Sequence, residues 1–155
     1  MGDFNLDIRI LLVDNDEFFA NTLRNSLEVR SNGTKFILNW KTSAYLDIND
    51  MYDVFIFDAQ LFDFDKLSSL IKQAQKINEN AKILIVGETI DGSLLKKLMR
   101  LGIKTFAEKT EEDLDVIFDE IQEEAETKYR VSRIKDGIEL LSIEQKKMNA
   151  ALRQF

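Results

Sequence analysis

The sequence predicts a doubly wound α/β domain: a five-stranded parallel sheet with helices on both faces, extended at its C-terminus by a further helix. Two observations predict it. Five short apolar, β-branched runs alternate along the chain with segments whose apolar residues recur at helical spacing. The residues able to do chemistry, Asp14, Asn15, Asp58, Gly87 and Lys109, lie at or just beyond the carboxyl ends of those runs, where open α/β sheets collect their ligands.

The first run, Ile8 to Val13, is almost continuously apolar, as a strand buried on both faces must be, and it ends in Asp14-Asn15-Asp16. Phe18, Phe19, Leu23, Leu27 and Val29 then mark a helix. After a Ser31-Asn32-Gly33 turn, Phe36 to Trp40 forms the second strand and Val54 to Phe57 the third, ending at Asp58. The stretch from Thr42 to Asp50 is short for a helix, so that edge is expected to be irregular. Leu67, Leu70, Ile71 and Ala74 define the next helix and Ile83 to Val86 the fourth strand, followed by Gly87-Glu88. Thr89 is placed to cap the helix marked by Leu94, Leu95, Leu98 and Leu101. Gly102 stops that helix, Lys104 to Ala107 is the fifth strand, and Leu114, Ile117, Phe118 and Ile121 begin the last helix. Right-handed crossovers between parallel strands put helices on both faces.

At 155 residues the chain fits one main domain, with enough apolar content for a core without metals or disulfides. It has no cysteine and no histidine, which removes thiol chemistry, the usual zinc sites and imidazole acid–base catalysis. A net charge of -7 argues against a nucleic-acid surface, which needs clustered Lys and Arg to offset phosphate. No apolar stretch approaches a membrane span, and Met1 to Asn5 lacks the features of a signal peptide, so the expected location is cytoplasmic. There is no Walker loop, no dinucleotide glycine fingerprint and no nucleophile–base pair, and the first strand lacks the Ser/Thr/Gly loop of a flavin site. The chain is not expected to be an independent enzyme.

Two carboxylates at neighbouring strand ends repel unless a cation lies between them, so Asp14 and Asp58 point to a divalent site with oxygen ligands, for which Mg2+ is the natural ion. Lys109 would add a positive charge suited to a phosphoryl oxygen. Blander roles stand beside these: Asp14 and Asp58 as loop caps, Lys109 as a solvated lysine, Phe106 as strand packing.

Three segments carry a resemblance: Ile10-Leu11-Leu12-Val13-Asp14-Asn15-Asp16, Asp53-Val54-Phe55-Ile56-Phe57-Asp58 and Phe106-Ala107-Glu108-Lys109. In order and at strand ends, they make residues 7 to 125 resemble the receiver domains of two-component response regulators. The resemblance implies a flavodoxin-like strand order of 2-1-3-4-5 and Asp58 as phosphoacceptor, self-phosphorylation and autodephosphorylation being the most catalysis expected. Metal ligation would come from Asp14, Asn15, Asp58 and the main-chain carbonyl of Gln60, with Lys109 on the phosphoryl group and Phe106 as the aromatic switch residue. The partner would be a histidine kinase or phosphotransfer protein. The sequence departs from the family at Asn15, where an amide replaces an acid and lowers cation affinity. It departs again at Gly87, where the family has Ser or Thr, and at Thr110, where the family has a proline after the lysine. The expected function is phosphorelay signalling through Asp58; the alternative is a pseudo-receiver that binds partners or dimerises without phosphorylation.

The domain is expected to span 1–125 and a helical extension 126–155. Val131, Ile134, Ile138, Leu141, Gln145, Met148, Leu152 and Phe155 advance by alternating three and four, the spacing of a coiled-coil seam. Homodimerisation or a partner helix is one outcome; a helix folded back on its own domain, or broken at Asp136-Gly137 with Ser142 and Gln145 as a new capping box, is the other.

Overall fold

A computed structural model describes residues 6–30, 33–42 and 48–153. The elements are β1 (Leu6–Val13), α1 (Glu17–Arg30), β2 (Thr34–Lys41), β3 (Val54–Asp58), α2 (Phe64–Ile77), β4 (Lys82–Gly87), α3 (Gly92–Arg100), β5 (Thr105–Glu108) and α4 (Glu111–Leu152). The strands form one sheet in the order β2-β1-β3-β4-β5, with every neighbouring pair parallel. This is the flavodoxin-like doubly wound arrangement, and the order reverses between β1 and β3.

Strand alternation divides the core into two layers. Ile8, Ile10 and Leu12 of β1, with Val54, Ile56, Leu84 and Val86, face α1 through Phe19, Leu23 and Leu27 and α4 through Ile117, Phe118 and Ile121. Leu11 and Val13, with Phe55, Phe57 and Ile85, face α2 through Leu67, Leu70, Ile71 and Ala74 and α3 through Leu98.

The helix ends are capped by side chains. Asp63 accepts from the Lys66 N–H and Asp91 from the Leu94 N–H, each at the N-cap. Asp91, not Thr89, therefore caps α3, because it stands one residue before the helix while Thr89 is exposed in the loop. Gly102 ends α3 as expected, its φ of 87° being one that side chains avoid. The sequence stripe over-reached at both ends of α1: Phe18 and Val29 are 82% and 87% exposed, because helical spacing does not fix which residue of the last turn faces the sheet.

Among the described residues no helix links β2 to β3; residues 43–47, at the centre of the segment expected to be irregular, lie outside the description, as do Ser31, Asn32 and Phe155. Ile48 and Tyr52 cover the sheet there. Tyr52 is held by the Asn39 amide, which donates to its hydroxyl at 3.0 Å, and by Asn78, which donates to its carbonyl at 3.0 Å.

The last helix runs unbroken for 42 residues, about 60 Å at 1.5 Å per residue, straight through Asp136-Gly137. Its buried residues end at Ala125. Lys128 ties it to the amino edge of the sheet, donating to the Asp7 carbonyl at 2.8 Å and to Asp53 at 3.1 Å. Beyond that point Val131, Ile134, Ile138, Leu141, Met148 and Leu152 are all exposed. No helix among the described residues is long and apolar enough to cross a membrane.

Candidate functional site

The carboxyl ends of β1, β3 and β5 bring Asp14, Asp58 and Lys109 to one point beside the reversal of strand order. Asp14 follows β1 and is 0% exposed. Its backbone is pinned from both sides: its N–H donates to the Lys41 carbonyl at 3.0 Å, and its own carbonyl accepts the Trp40 indole N–H at 2.7 Å. Its Oδ1 accepts the Asp16 N–H at 3.0 Å. Among the described residues its Oδ2 accepts no well-directed hydrogen bond and has the Lys109 ammonium as its ion-pair partner, at 2.8 Å. Asp58 ends β3 and is 7% exposed; its Oδ1 accepts the Gln60 N–H at 2.8 Å and its Oδ2 accepts from Lys109 Nζ at 3.0 Å.

Lys109 reaches the acids from the turn after β5, with its side chain 6% exposed. All described peptide bonds are trans, and with Thr110 following it Lys109 still reaches Asp14 and Asp58. Thr110 instead caps α4, its hydroxyl accepting the Asp113 N–H at 3.1 Å, while Asp113 reaches back to accept the Glu108 N–H at 2.8 Å. The lysine and the long helix are thus adjacent in the chain and share one turn.

A third carboxylate joins the cluster. Asp16 caps α1 by accepting the Phe19 N–H at 3.0 Å, and its Oδ2 also accepts from Lys109 at 3.3 Å. Three carboxylates therefore surround one ammonium, which also stands 5.1 Å from the centre of the Phe19 ring. Burial, and then the neighbouring Asp58, raise the Asp14 pKa from 3.8 to about 6. Burial pulls the Lys109 pKa down, but its bonds to Asp14 and Asp58 outweigh that and leave it at about 12. The bond from the Phe19 N–H, with Lys109 adding to it, holds Asp16 below the usual carboxylate value.

The remaining expected residues are placed as follows. Asn15 is exposed. Phe106 is half-buried against the layer formed with α2 and α3. Gly87 ends β4, and its carbonyl accepts the Lys109 N–H at 2.9 Å. Sequence reasoning missed the Gln60 side chain, whose amide spans to the loop after β4: Oε1 accepts the Glu88 N–H at 2.8 Å and Nε2 donates to the Thr89 carbonyl at 2.6 Å. The available signal was Gly87 itself, a position without a side chain where the family has a hydroxyl.

No model of a known protein family matches the sequence, and no curated protein matches it. Solved structures do. The fold is similar to a response regulator receiver domain protein (CheY-like) from Methanospirillum hungatei JF-1, 18% identical, with a TM-score of 0.64 over 79% of this chain and 97% of that one. A response regulator from Thermotoga maritima is 17% identical, with a TM-score of 0.61 over 78% of this chain and 99% of that one. The non-phosphorylated HemR receiver domain from Leptospira biflexa is 20% identical, with a TM-score of 0.60 over 76% and 94%. The fold is that of a response regulator receiver domain, at low sequence identity.

Proposed function

We propose that the chain is an atypical receiver-domain signalling protein in which Asp58 accepts a phosphoryl group and α4 conveys the change to a partner. The observation that carries this reading is the convergence of Asp14, Asp58 and Lys109 at the carboxyl edge of the sheet, with the Asp58 carboxylate within reach of a fixed cation. A carboxylate oxygen of Asp58 would form the new P–O bond as the donor's bond to phosphorus breaks, the donor's leaving group keeping the electron pair. Lys109 Nζ would turn from Asp58 toward a phosphoryl oxygen, stabilising the added charge. The donor would be a histidine kinase or phosphotransfer protein; at most self-phosphorylation and autodephosphorylation would be catalysed.

Magnesium fits the chemistry of the site in part. The donors are hard oxygens, and Asp14 Oδ2 lacks a hydrogen bond, as an oxygen kept for a cation would. Asp14, Asn15, Asp58 and the Gln60 carbonyl would hold the ion, with Asp16 offsetting some of the charge that Asn15 omits. Bound there, it would supply positive charge against an incoming phosphoryl dianion. Among the described residues, however, no group of three acids is disposed around a metal position, since the Lys109 ammonium stands between them. A weak site is the expected result.

The pseudo-receiver remains the second reading, favoured by one observation: Gly87 offers no hydroxyl, and the Gln60 amide packs against it, 3.1 Å from where a Cβ would stand. In either reading, residues from about 126 onward form the extension, and the exposed seam of α4 is a surface for a second copy or a partner helix. Incubating the full chain with magnesium and phosphoramidate, then measuring intact mass, tests the choice. A phosphoryl adduct absent from Asp58→Asn supports the receiver; no adduct supports the pseudo-receiver.

A further inference from the structure

The loop after β4 is attached to the sheet through one side chain that the receiver reading leaves without a role. Two strand-edge hydrogen bonds frame it: the Ala59 N–H donates to the Val86 carbonyl at 2.8 Å, and the Lys109 N–H to the Gly87 carbonyl at 2.9 Å. Between them, where the sheet has run out, the Gln60 amide makes a two-point clasp on the Glu88 N–H and the Thr89 carbonyl. The clasp and Gly87 fit together. A Cβ at position 87 would lie 3.1 Å from Gln60 Oε1 and 3.3 Å from its Cδ, tighter than such contacts normally are, so the amide would have to give by a few tenths of an ångström to admit a side chain there. Gln60 also holds Asp58, through its backbone N–H on Oδ1 at 2.8 Å. One residue thus grips both the acceptor carboxylate and the loop.

We propose that Gln60 is a positioning residue that replaces the absent hydroxyl at position 87, fixing the β4–α3 loop to the end of β3 and coupling the state of Asp58 to that loop. The coupling clause rests on the receiver reading; the clasp does not. A phosphoryl group on Asp58 removes the carboxylate charge from the group that accepts the Gln60 N–H and so alters that bond, and the side chain carries the change to Glu88. Loss of the amide releases the Glu88 N–H and the Thr89 carbonyl from the acceptor strand, and a serine at 87 gains room once the amide is gone.

The experiment follows the Glu88 amide of the full chain by NMR, before and after magnesium and phosphoramidate, with intact mass recorded on the same samples. The wild-type Glu88 peak should move on phosphorylation; in Gln60→Ala, which keeps the main-chain carbonyl and N–H, the peak should stay in whatever fraction of the chain carries the adduct. In Gln60→Ala combined with Gly87→Ser, the hydroxyl should restore the movement. Without any phosphodonor, Glu88 hydrogen exchange in Gln60→Ala should be about fivefold faster, the factor one hydrogen bond of ordinary net strength supplies. A Glu88 peak that moves as far in Gln60→Ala as in the wild type, or stays still in the phosphorylated wild type or the phosphorylated double variant, overturns the proposal. If the wild type takes no adduct, the receiver reading fails and exchange decides the clasp: faster exchange supports it, unchanged exchange overturns it.

Discussion

Asp14 has lost all contact with solvent, and among the described residues the cation beside it is Lys109, so its ionised form depends on that lysine. Replacing Lys109 with methionine should destabilise the chain by about 3 kcal/mol at pH 7, the cost of leaving a buried carboxylate unpaired, and by less at pH 5, where Asp14 can protonate; urea titration at the two values checks this. The pH dependence has a definite sign. Asp14 titrates near 6 when folded against 3.8 ordinarily, so between those values the folded chain holds a proton that the unfolded chain has released. Its contribution to stability therefore falls as pH rises from about 4 to about 6 and is constant above that. Asp14→Asn should remove this component, so the difference between wild-type and variant urea midpoints should change over that range and flatten above it. A constant difference would contradict the assignment. Asp14, Asp58 and Lys109 were legible in the sequence because each lies at or just beyond the end of an apolar run, and strand ends in such sheets converge. The third acid and the Gln60 amide were less so: a cap such as Asp16 has a spare oxygen whose direction only the fold sets, and a side-chain amide that bonds backbone leaves no pattern in the sequence.

At the scale of elements, the strands were legible to within a residue or two because burial on both faces demands continuous apolar runs. The connection from β2 to β3 was not, since Tyr52 and Ile48 do their packing from a segment without period. Nor was the continuity of α4, because a single glycine costs only about 1 kcal/mol in a helix and the flanking turns absorb it. A Cβ at Gly137 would meet nothing within 4 Å. Gly137→Ala should therefore stabilise the projecting helix by about 1 kcal/mol, seen as helical circular dichroism retained to higher temperature. At the other end, Thr110→Ala removes the cap that stands beside Lys109 and should cost about 1 kcal/mol in urea titrations; a change within error would mean that Asp113 and the acidic first turn suffice.

For the whole molecule, α4 begins beside the acidic cluster, crosses the sheet to its amino edge at Lys128, and continues beyond with an exposed apolar seam. An event at Asp58 and a partner on the seam would thus act on the two ends of one helix. A chain ending at Glu126 should elute as a monomer, whereas the full chain should self-associate by light scattering; two monomers would remove the seam as a surface for a second copy. The most direct measurement of whether Asp58 accepts a phosphoryl group treats the full chain with magnesium and phosphoramidate, reduces with borohydride, and locates the modified residue by peptide mass. Reduction of an acyl phosphate at Asp58 alone, absent without the phosphodonor, is the expected result; an unmodified Asp58, or modification at other acids only, would contradict the acceptor role.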